Sequence, residues 1–274
     1  MLGRSAILRS LRRLHKLRER DPVEEEYRGW NWDKPPLKPR AYLGLGVSEV
    51  AYRYCETRRD AYLRRMGVEG RAAQPLIEGS LLHSVFNAAA CDVRRELTLG
   101  KRGWEAYESI ASRAGERLSK LGVDGEKCSW LLDFYKGVVL SWCAEEWALV
   151  FTEYRVDGSL LGLSRNLRVD GLVEGGLILE LKYGRLQSFH QLSLAGYALA
   201  LESSLEIPVD YGVLVYVSCN GQLQVNWEPV YVSTNLRREF IESRDELIDL
   251  LVSGREPPKA PNCPESCPFK GVCP

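Results

Sequence analysis

Two short and mostly apolar runs near the middle of the chain, 169–173 and 177–182, carry three charged residues at fixed spacing: Asp170, Glu180 and Lys182. Glu180 and Lys182 lie two residues apart in the second run, so they share one face of a strand, in which side chains alternate. Between the runs, the Glu-Gly-Gly sequence at 174–176 predicts a tight turn. A turn centred on its middle residue sets Asp170 of the first run opposite Glu180, with their Cβ atoms roughly 5 Å apart.

Two carboxylates at that separation destabilise a sheet unless positive charge lies between them. A divalent cation would supply it, since Mg²⁺ and Mn²⁺ prefer carboxylate oxygens. We expect the other face of the hairpin to be apolar, with Val169, Val173, Leu179 and Leu181. Leu172 and Ile178 share the charged side, which predicts a strand covered on both faces. Charges on a covered face need partners or a metal, whereas a solvated charged face is the alternative interpretation.

Composition alone places the 274-residue chain among ordinary globular proteins, with 45% hydrophobic and 27% charged residues. The formal net charge of zero gives no evidence for or against a nucleic-acid partner. No apolar stretch approaches the length of a membrane span. The first residues are strongly basic, with seven Arg or Lys between Arg4 and Arg20 and apolar residues at helical spacing. They predict a helix that is docked on the body of the protein or lies near a phosphate backbone, with a transit segment as the alternative.

The order of the patterns predicts an α/β protein in four segments. These are a basic helix with an irregular stretch (1–46), a helical cap (47–148), a mixed core of strands and helices (149–253) and a cysteine-rich tail (254–274), with 47–274 forming one structural unit. Helical spacing predicts helices over 48–66, 77–99, 104–121, 127–148, 187–203 and 234–253. Strands are expected over 149–156, 166–174, 177–183, 210–218 and 223–231. Ser48 is the expected N-cap of the first cap helix.

Eight cysteines fall into two groups. Cys263, Cys267 and Cys273 follow a C-x3-C-x5-C spacing, and three thiolates so close bind a metal or cluster readily. Both zinc and a [4Fe–4S] cluster need a fourth ligand, which must come from elsewhere in the chain. Zinc and a tail of unused thiols remain the alternatives. The other group is expected to be inert thiols in apolar segments: Cys91, Cys128, Cys143 and Cys219.

Four motifs together resemble a known nuclease family. Residues 48–55, Ser-Glu-Val-Ala-Tyr-Arg-Tyr-Cys, resemble the Ser…Tyr…Cys helix that opens RecB-like nucleases carrying an iron–sulfur cluster. His83 resembles the histidine that these enzymes place ahead of the PD-(D/E)XK core, and Asp170 with the Glu180-Leu-Lys182 run matches the core itself. Read with the cysteine tail, the set resembles the CRISPR-associated RecB-like PD-(D/E)XK nuclease of spacer acquisition, in its archaeal variant.

The resemblance covers about residues 28–274 and carries expectations for fold and cofactors. It implies a restriction-endonuclease-like PD-(D/E)XK core, in which a mixed central sheet is flanked by helices, with an N-terminal helical cap and a C-terminal cluster-binding tail. It implies a [4Fe–4S] cluster held by Cys55, Cys263, Cys267 and Cys273. It also implies Mn²⁺ or Mg²⁺ held by His83, Asp170, Glu180 and the main-chain carbonyl of Leu181.

The expected catalytic residues extend beyond the two carboxylates. Lys182 would orient a water molecule or bind the phosphate. The helix after the core of these nucleases usually carries Gln-x3-Tyr, whereas Gln191 and Tyr197 are six residues apart here and lie on different helix faces. His190 and Tyr197 do share a face. We expect Gln191 and Tyr197 to contribute to the site.

The expected function is metal-dependent cleavage of DNA, single-stranded DNA above all, by exonuclease or endonuclease action. The resemblance implies a role in CRISPR antiviral defence, CRISPR integrase proteins as partners and a cytoplasmic location. Five arginines are candidates to line the DNA path: Arg53, Arg58, Arg59, Arg64 and Arg65. A RecB-like repair nuclease outside CRISPR systems and a non-catalytic DNA-binding subunit of an acquisition complex are the alternatives.

Overall fold

The computed structural model describes residues 3–71, 74–124, 128–173, 176–263 and 267–273. The described helices are α1 (Arg4–Arg20), α2 (Val47–Ala51), α3 (Arg59–Arg65), α4 (Gln74–Thr98), α5 (Gly103–Ala111), α6 (Ala114–Ser119), α7 (Ser129–Ala144), α8 (His190–Leu205) and α9 (Thr234–Ser253). The described strands are β1 (Val150–Val156), β2 (Leu167–Val173), β3 (Leu177–Tyr183), β4 (Tyr211–Cys219) and β5 (Leu223–Tyr231). The predicted α/β class is confirmed.

These strands form one mixed sheet in the order β1-β2-β3-β4-β5. Strands β3 and β4 are parallel, and the other neighbouring pairs are antiparallel. A parallel pair needs a crossover connection, which α8 supplies. Strand β3 stays paired with β4 from Leu177 to Tyr183, so its carboxyl-terminal half is anchored on that side.

Strand β3 is paired over a shorter length with β2, its neighbour on the other side. The β2–β3 ladder aligns Val173 with Leu177 and Gly171 with Leu179, the register predicted from the sequence, and then ends. Continued by one residue, that register sets Asp170 opposite Glu180. Strand β2 keeps its pairing with β1 beyond this point, so β2 and β3 separate where the charged residues lie. Glu174 and Gly175 of the predicted turn lie outside the described residues.

Two apolar layers cover the sheet. One layer contains residues of α4, α5, α6 and α7 and includes Val173, Leu179 and Leu181. The other contains residues of α2, α8 and α9 and includes Leu172 and Ile178. The sheet is therefore covered on both faces, as predicted. Val169 belongs to the second layer, so its predicted place on the face of Val173 is wrong. This residue lies beyond the end of the β2–β3 ladder, where the alternation of the hairpin no longer applies.

The single helix predicted over 48–66 is wrong, because the chain leaves the helix after α2 and resumes it at α3. The N-cap is Gly46 and not Ser48, and the Gly46 N–H donates to Glu49 Oε2 at 3.1 Å. The helix predicted over 104–121 is likewise divided, into α5 and α6.

Arg58 accounts for the break after α2. Its guanidinium donates to the main-chain oxygens of Tyr52 at 2.7 Å, Glu49 at 2.9 Å and Val50 at 3.0 Å. These carbonyls lie at the end of α2, where they lack helical partners. Arg58 itself has a left-handed backbone with φ of 60°. The resulting loop between α2 and α3 carries Cys55.

The amino-terminal segments are fastened to the sheet and to α8. Helix α1 packs along β5, buries Ile7 and Leu14, and places Arg18 Nε 2.7 Å from Asp210 Oδ2. A buried ion network lies beside this contact at the start of β4. Its fully enclosed members are Glu202 of α8 and Arg237 of α9, joined by hydrogen bonds of 2.7 and 2.9 Å.

The chain following α1 joins the same network. Arg28 Nη1 donates to Glu202 Oε1 at 2.9 Å, and the Gly29 N–H donates to Glu202 Oε2 at 2.8 Å. Since Glu202 is fully buried, its negative charge depends on these donors and on Arg237. None of the described helices has both the length and the hydropathy of a membrane-spanning segment.

Gly29→Ala should destabilise the fold by about 1–3 kcal/mol, because the new Cβ would lie 2.2 Å from Leu199 O and 2.7 Å from Glu202 Cβ. The measurement is the free energy of unfolding in denaturant. Gly115→Ala, in α6, is the control, since a Cβ there meets no atom within 4 Å. Equal unfolding free energies for the two variants would contradict the close approach at Gly29.

Candidate active site

A cavity of about 750 Å³ lies where β2 and β3 separate. Helix α4 contributes His83 to its wall, and α8 contributes Tyr197. The residues of the Glu-Leu-Lys run in β3 complete the predicted part of the lining, together with Asp170 of β2: Glu180, Leu181 and Lys182. The structure therefore brings together six residues that were selected from four separate segments of the sequence.

Asp170 lies at the centre of this group and is only 8% exposed. Its Oδ2 accepts the main-chain N–H of Leu181 at 2.7 Å, and its Oδ1 lies 2.9 Å from His83 Nδ1. Burial alone would raise the pKa of Asp170, but the neighbouring His83 and Lys182 outweigh it and lower the pKa. The carboxylate is thus held as an anion.

Glu180 is more deeply buried, at 4% exposure, and is satisfied on one oxygen only. Its Oε1 accepts from Lys182 Nζ at 2.5 Å and from Tyr52 Oη at 3.4 Å. Its Oε2 is buried and has no hydrogen-bond partner within the described residues. Burial, followed by repulsion from Asp170, raises the pKa of Glu180 to about 7.

Lys182 is buried beside these acids. Burial alone would lower its pKa, but Glu180 outweighs this and raises it, so the ammonium stays charged. Its Nζ also lies 4.9 Å from the centre of the Tyr52 ring, within the range of a cation–π contact. The lysine is therefore a fixed positive charge at the wall of the cavity.

His83 faces Asp170 from α4. Burial would lower the pKa of His83, but the charge of Asp170 outweighs burial and raises it. Gly79 lies one turn before His83 in α4 and faces β3, where a Cβ would lie 3.8 Å from Tyr183 Cβ, an ordinary van der Waals contact.

The structure separates the two α8 residues of the predicted set. Tyr197 lines the cavity, and burial, followed by the charge of Glu180, raises its pKa well above the usual range. Gln191 does not line the cavity, and its Nε2 donates to Glu228 Oε1 of β5 at 2.9 Å. The buried His190 is hydrogen-bonded to Tyr54 Oη at 3.0 Å.

Sequence reasoning missed Glu153, an acidic residue that lines the same cavity. It lies in β1, and one of its carboxylate oxygens is within 4.8 Å of ligand atoms of His83 and Asp170. The available signal was a charged residue in the middle of a predicted strand. That signal alone is weak, because the nearness of Glu153 to Asp170 depends on how β1 and β2 align.

The donors around the cavity suit a hard divalent cation. Asp170 and Glu180 offer carboxylate oxygens and His83 offers an imidazole nitrogen, which are ligand types found with Mg²⁺ and Mn²⁺. Buried polar atoms normally have a partner, whereas Oε2 of Glu180 has none in the part of the chain that the structure describes, an exception that a bound cation would remove. The residues present fit the expected metal.

The cysteines of the predicted cluster converge from the α2–α3 loop and the tail. Burial raises the pKa of Cys267, and the adjacent thiols of Cys263 and Cys55 raise it further. The Arg71 N–H donates to Pro268 O at 2.8 Å and ties the tail to the segment after α3. Cys55 and Cys267 line a second cavity of about 440 Å³.

Cys273 lies on the same side of the molecule, since Arg59 of α3 forms a side-chain hydrogen bond with it. The four cysteines expected to hold the cluster are free and half-buried, so they suit a cluster near the surface. Of the other group, Cys128 and Cys143 are buried, whereas Cys91 and Cys219 are half-buried.

Two arginines suggested for the DNA path have structural contacts instead. Arg58 binds the end of α2, and the buried Arg59 donates to Pro257 O and pairs with Glu256. Their guanidinium groups are engaged within the protein. Arg64, by contrast, lines the cavity next to Cys55.

Comparisons with known proteins agree with this set of motifs. The sequence model of the family described as CRISPR-associated exonuclease Csa1 matches residues 1–274. A relative named CRISPR-associated exonuclease Csa1 from Thermoproteus tenax is 35% identical over 285 aligned positions, which cover 100% of this chain and 99% of the relative. A relative of the same name from Saccharolobus solfataricus is 31% identical over 271 positions, covering 92% of each chain. The chain therefore belongs to the Csa1 family of CRISPR-associated exonucleases.

Proposed function

We propose that this chain is a divalent-metal-dependent deoxyribonuclease, with a PD-(D/E)XK core, that processes single-stranded DNA for CRISPR spacer acquisition. The observation that carries the proposal is the buried Oε2 of Glu180, which lacks a partner in the described structure and lies beside a second carboxylate, Asp170. The names of the relatives support a nuclease in a CRISPR system. They favour that role over the repair nuclease outside CRISPR.

The residues of the cavity divide the work of phosphodiester hydrolysis. Asp170 and Glu180, with His83 and the Leu181 carbonyl, would hold Mn²⁺ or Mg²⁺. When bound, such a cation lowers the pKa of a water molecule and stabilises the charge that develops at phosphorus. Lys182 stays charged beside Glu180 and orients the attacking water or binds a phosphate oxygen.

The charge balance of the cavity argues against a non-catalytic DNA-binding subunit. A site that only binds DNA gains from positive charge, because the phosphate backbone is anionic. Each of the three carboxylates of this cavity is paired with one of its positive side chains: Glu180 with Lys182, Asp170 with His83 and Glu153 with Arg168. The positive groups are therefore engaged by carboxylates, which repel a phosphate unless a cation lies between them, so the arrangement suits metal-assisted hydrolysis better than binding alone.

We further propose a [4Fe–4S] cluster with a structural role, held by Cys55, Cys263, Cys267 and Cys273. Such a cluster would pin the tail to the α2–α3 loop, because metal binding and folding are coupled. The same loop leads from Tyr52, which contacts both Glu180 and Lys182. The cluster would therefore also steady one wall of the cavity.

Asp170→Asn and Glu180→Gln should each lower Mn²⁺-dependent cleavage of a labelled single strand by at least about 100-fold. These amides keep the size of the side chains, whereas alanine at position 180 would leave the buried Lys182 without its partner. Glu116→Gln is the control and should cleave like the wild type, because Glu116 of α6 forms only an exposed pair with Lys120, the residue after the helix. Wild-type cleavage by Glu180→Gln, free of contaminating nuclease, would overturn the assignment.

Protein purified without oxygen should be brown and contain about four irons per chain. Cys55→Ser should remove the colour and lower the thermal unfolding temperature, because ligand loss and folding are coupled. Cys91→Ser, at another half-buried cysteine, should change neither. Stoichiometric zinc with negligible iron in such protein would refute the cluster.

His83→Ala should raise the Mn²⁺ concentration needed for half-maximal cleavage by about tenfold or more, with partial rescue at high metal, because a ligand is lost. His15→Ala, at an exposed histidine of α1, is the matched control and should leave the titration unchanged. If His83→Ala lowers stability yet keeps the wild-type half-saturation point and full activity, His83 is a structural residue and not a ligand.

A further inference from the structure

Glu153 occupies a position in the sheet that brings it to Asp170. In the β1–β2 ladder Thr152 aligns with Gly171 and Tyr154 aligns with Val169. Glu153 therefore faces Asp170 across the two strands. One ligand atom each from Glu153, His83 and Asp170 lies within 4.8 Å of the other two, a group of which Glu180 is not a member. Carboxylate, imidazole and carboxylate donors at this spacing can share one cation.

The more buried positive groups of the cavity are paired with the other two carboxylates, so Glu153 depends on an exposed arginine. Lys182 is paired with Glu180, and His83 with Asp170. Glu153 forms an ion pair with Arg168, whose Nη1 lies 3.2 Å from Glu153 Oε2. The Arg168 side chain is 57% exposed, and such exposed pairs contribute little.

An independent observation in the same cavity also favours a cation site. The Oε2 of Glu180, a residue that is 4% exposed, has no partner among the described residues. Glu180 and Glu153 both line this cavity, on either side of Asp170. The three carboxylates are paired one to one with Lys182, His83 and Arg168, yet the buried Oε2 of Glu180 still lacks a donor among the described residues, and a cation in the cavity would supply its partner.

The backbone at Glu153 agrees with a functional role. Its φ of 51° lies in the left-handed region within a strand. That conformation costs an ordinary residue about 1–2 kcal/mol, and glycine would adopt it more readily. Strain of this kind persists only where the surrounding structure stabilises it, and it clusters at active sites and ligand clamps.

We propose that Glu153 is a ligand of a divalent cation, Mn²⁺ or Mg²⁺, which it binds together with His83 and Asp170. The inference rests on the proposed nuclease function and extends it, since the metal site proposed above needs Asp170, Glu180, His83 and the Leu181 carbonyl but not Glu153. Asp170 then belongs to two donor groups, one with Glu180 and one with Glu153. Arg168 holds the Glu153 carboxylate when no cation is bound.

The test measures Mn²⁺ binding to the full chain by the electron paramagnetic resonance signal of free Mn²⁺. Glu153→Gln should weaken binding by at least about tenfold or remove one equivalent of bound ion. Gln keeps the size of the side chain and can still accept from Arg168, so the fold should survive. Arg168→Gln is the matched control, because it breaks the same pair while leaving the carboxylate, and it should bind Mn²⁺ at least as tightly as the wild type.

Two outcomes would overturn the ligand role: an unchanged Mn²⁺ titration for Glu153→Gln, or equal weakening by Glu153→Gln and Arg168→Gln, which would reveal a structural ion pair. Glu180→Gln separates this inference from the proposed function. If wild-type protein binds Mn²⁺ and Glu180→Gln weakens it while Glu153→Gln does not, the role of Glu153 alone fails. If wild-type protein binds no Mn²⁺, the metal-dependent function fails as well.

Discussion

One hydrogen bond organises the site, the donation from the Leu181 N–H to Asp170 Oδ2 at 2.7 Å. A main-chain N–H that points toward the neighbouring strand normally pairs with a carbonyl of that strand, and a buried N–H without a partner costs free energy. Here a side-chain carboxylate takes the place of that carbonyl just beyond the last aligned pair, Gly171 with Leu179. Strand β2 can therefore leave β3 without leaving this donor unpaired, and the cavity opens between them.

Other parts of the architecture stabilise the fold in spite of this separation. Apolar layers cover both faces of the sheet, and β4 holds β3 along its full length. Far from the cavity, Glu202 and Arg237 join α8 to α9 in a buried ion pair. Removing one partner of such a buried pair strongly destabilises a protein. The pair therefore fixes α8, the crossover helix that carries Tyr197. Carboxylates can then be held close together, with the buried Oε2 of Glu180 lacking a partner among the described residues, an arrangement that favours binding a cation.

Much of the fold could be predicted from local patterns. The β2–β3 register follows from apolar alternation around a glycine turn, and it leads directly to Asp170, Glu180 and Lys182. The boundaries of β3 and α9 are also as predicted, because period and turn signals agree there. His83 was found only through the resemblance of its motif, since a lone helical histidine has no distinctive pattern.

Other features depend on side-chain contacts that no repeating pattern in the sequence indicates, and they could not be predicted. The sequence around Arg58 has helical spacing, yet its guanidinium binds three carbonyls and ends α2. Glu153 reaches Asp170 through a strand alignment that bridges a long loop. The partners of Glu202 come from the start of the chain and from α9. Glu153 and Glu202 owe their roles to partners that are remote in sequence, whereas Arg58 acts through a side-chain contact with nearby carbonyls that backbone periodicity does not reveal.

The central claim is that the carboxylates beside the separated strands bind a catalytic cation. The most direct measurement is the anomalous scattering of Mn²⁺ in crystals of the protein grown with the metal and a non-cleavable DNA strand. The account predicts a peak within about 2–2.5 Å of carboxylate oxygens of both Asp170 and Glu180, next to a phosphate of the strand. Well-ordered DNA in the cavity with no Mn²⁺ peak at these carboxylates would contradict it.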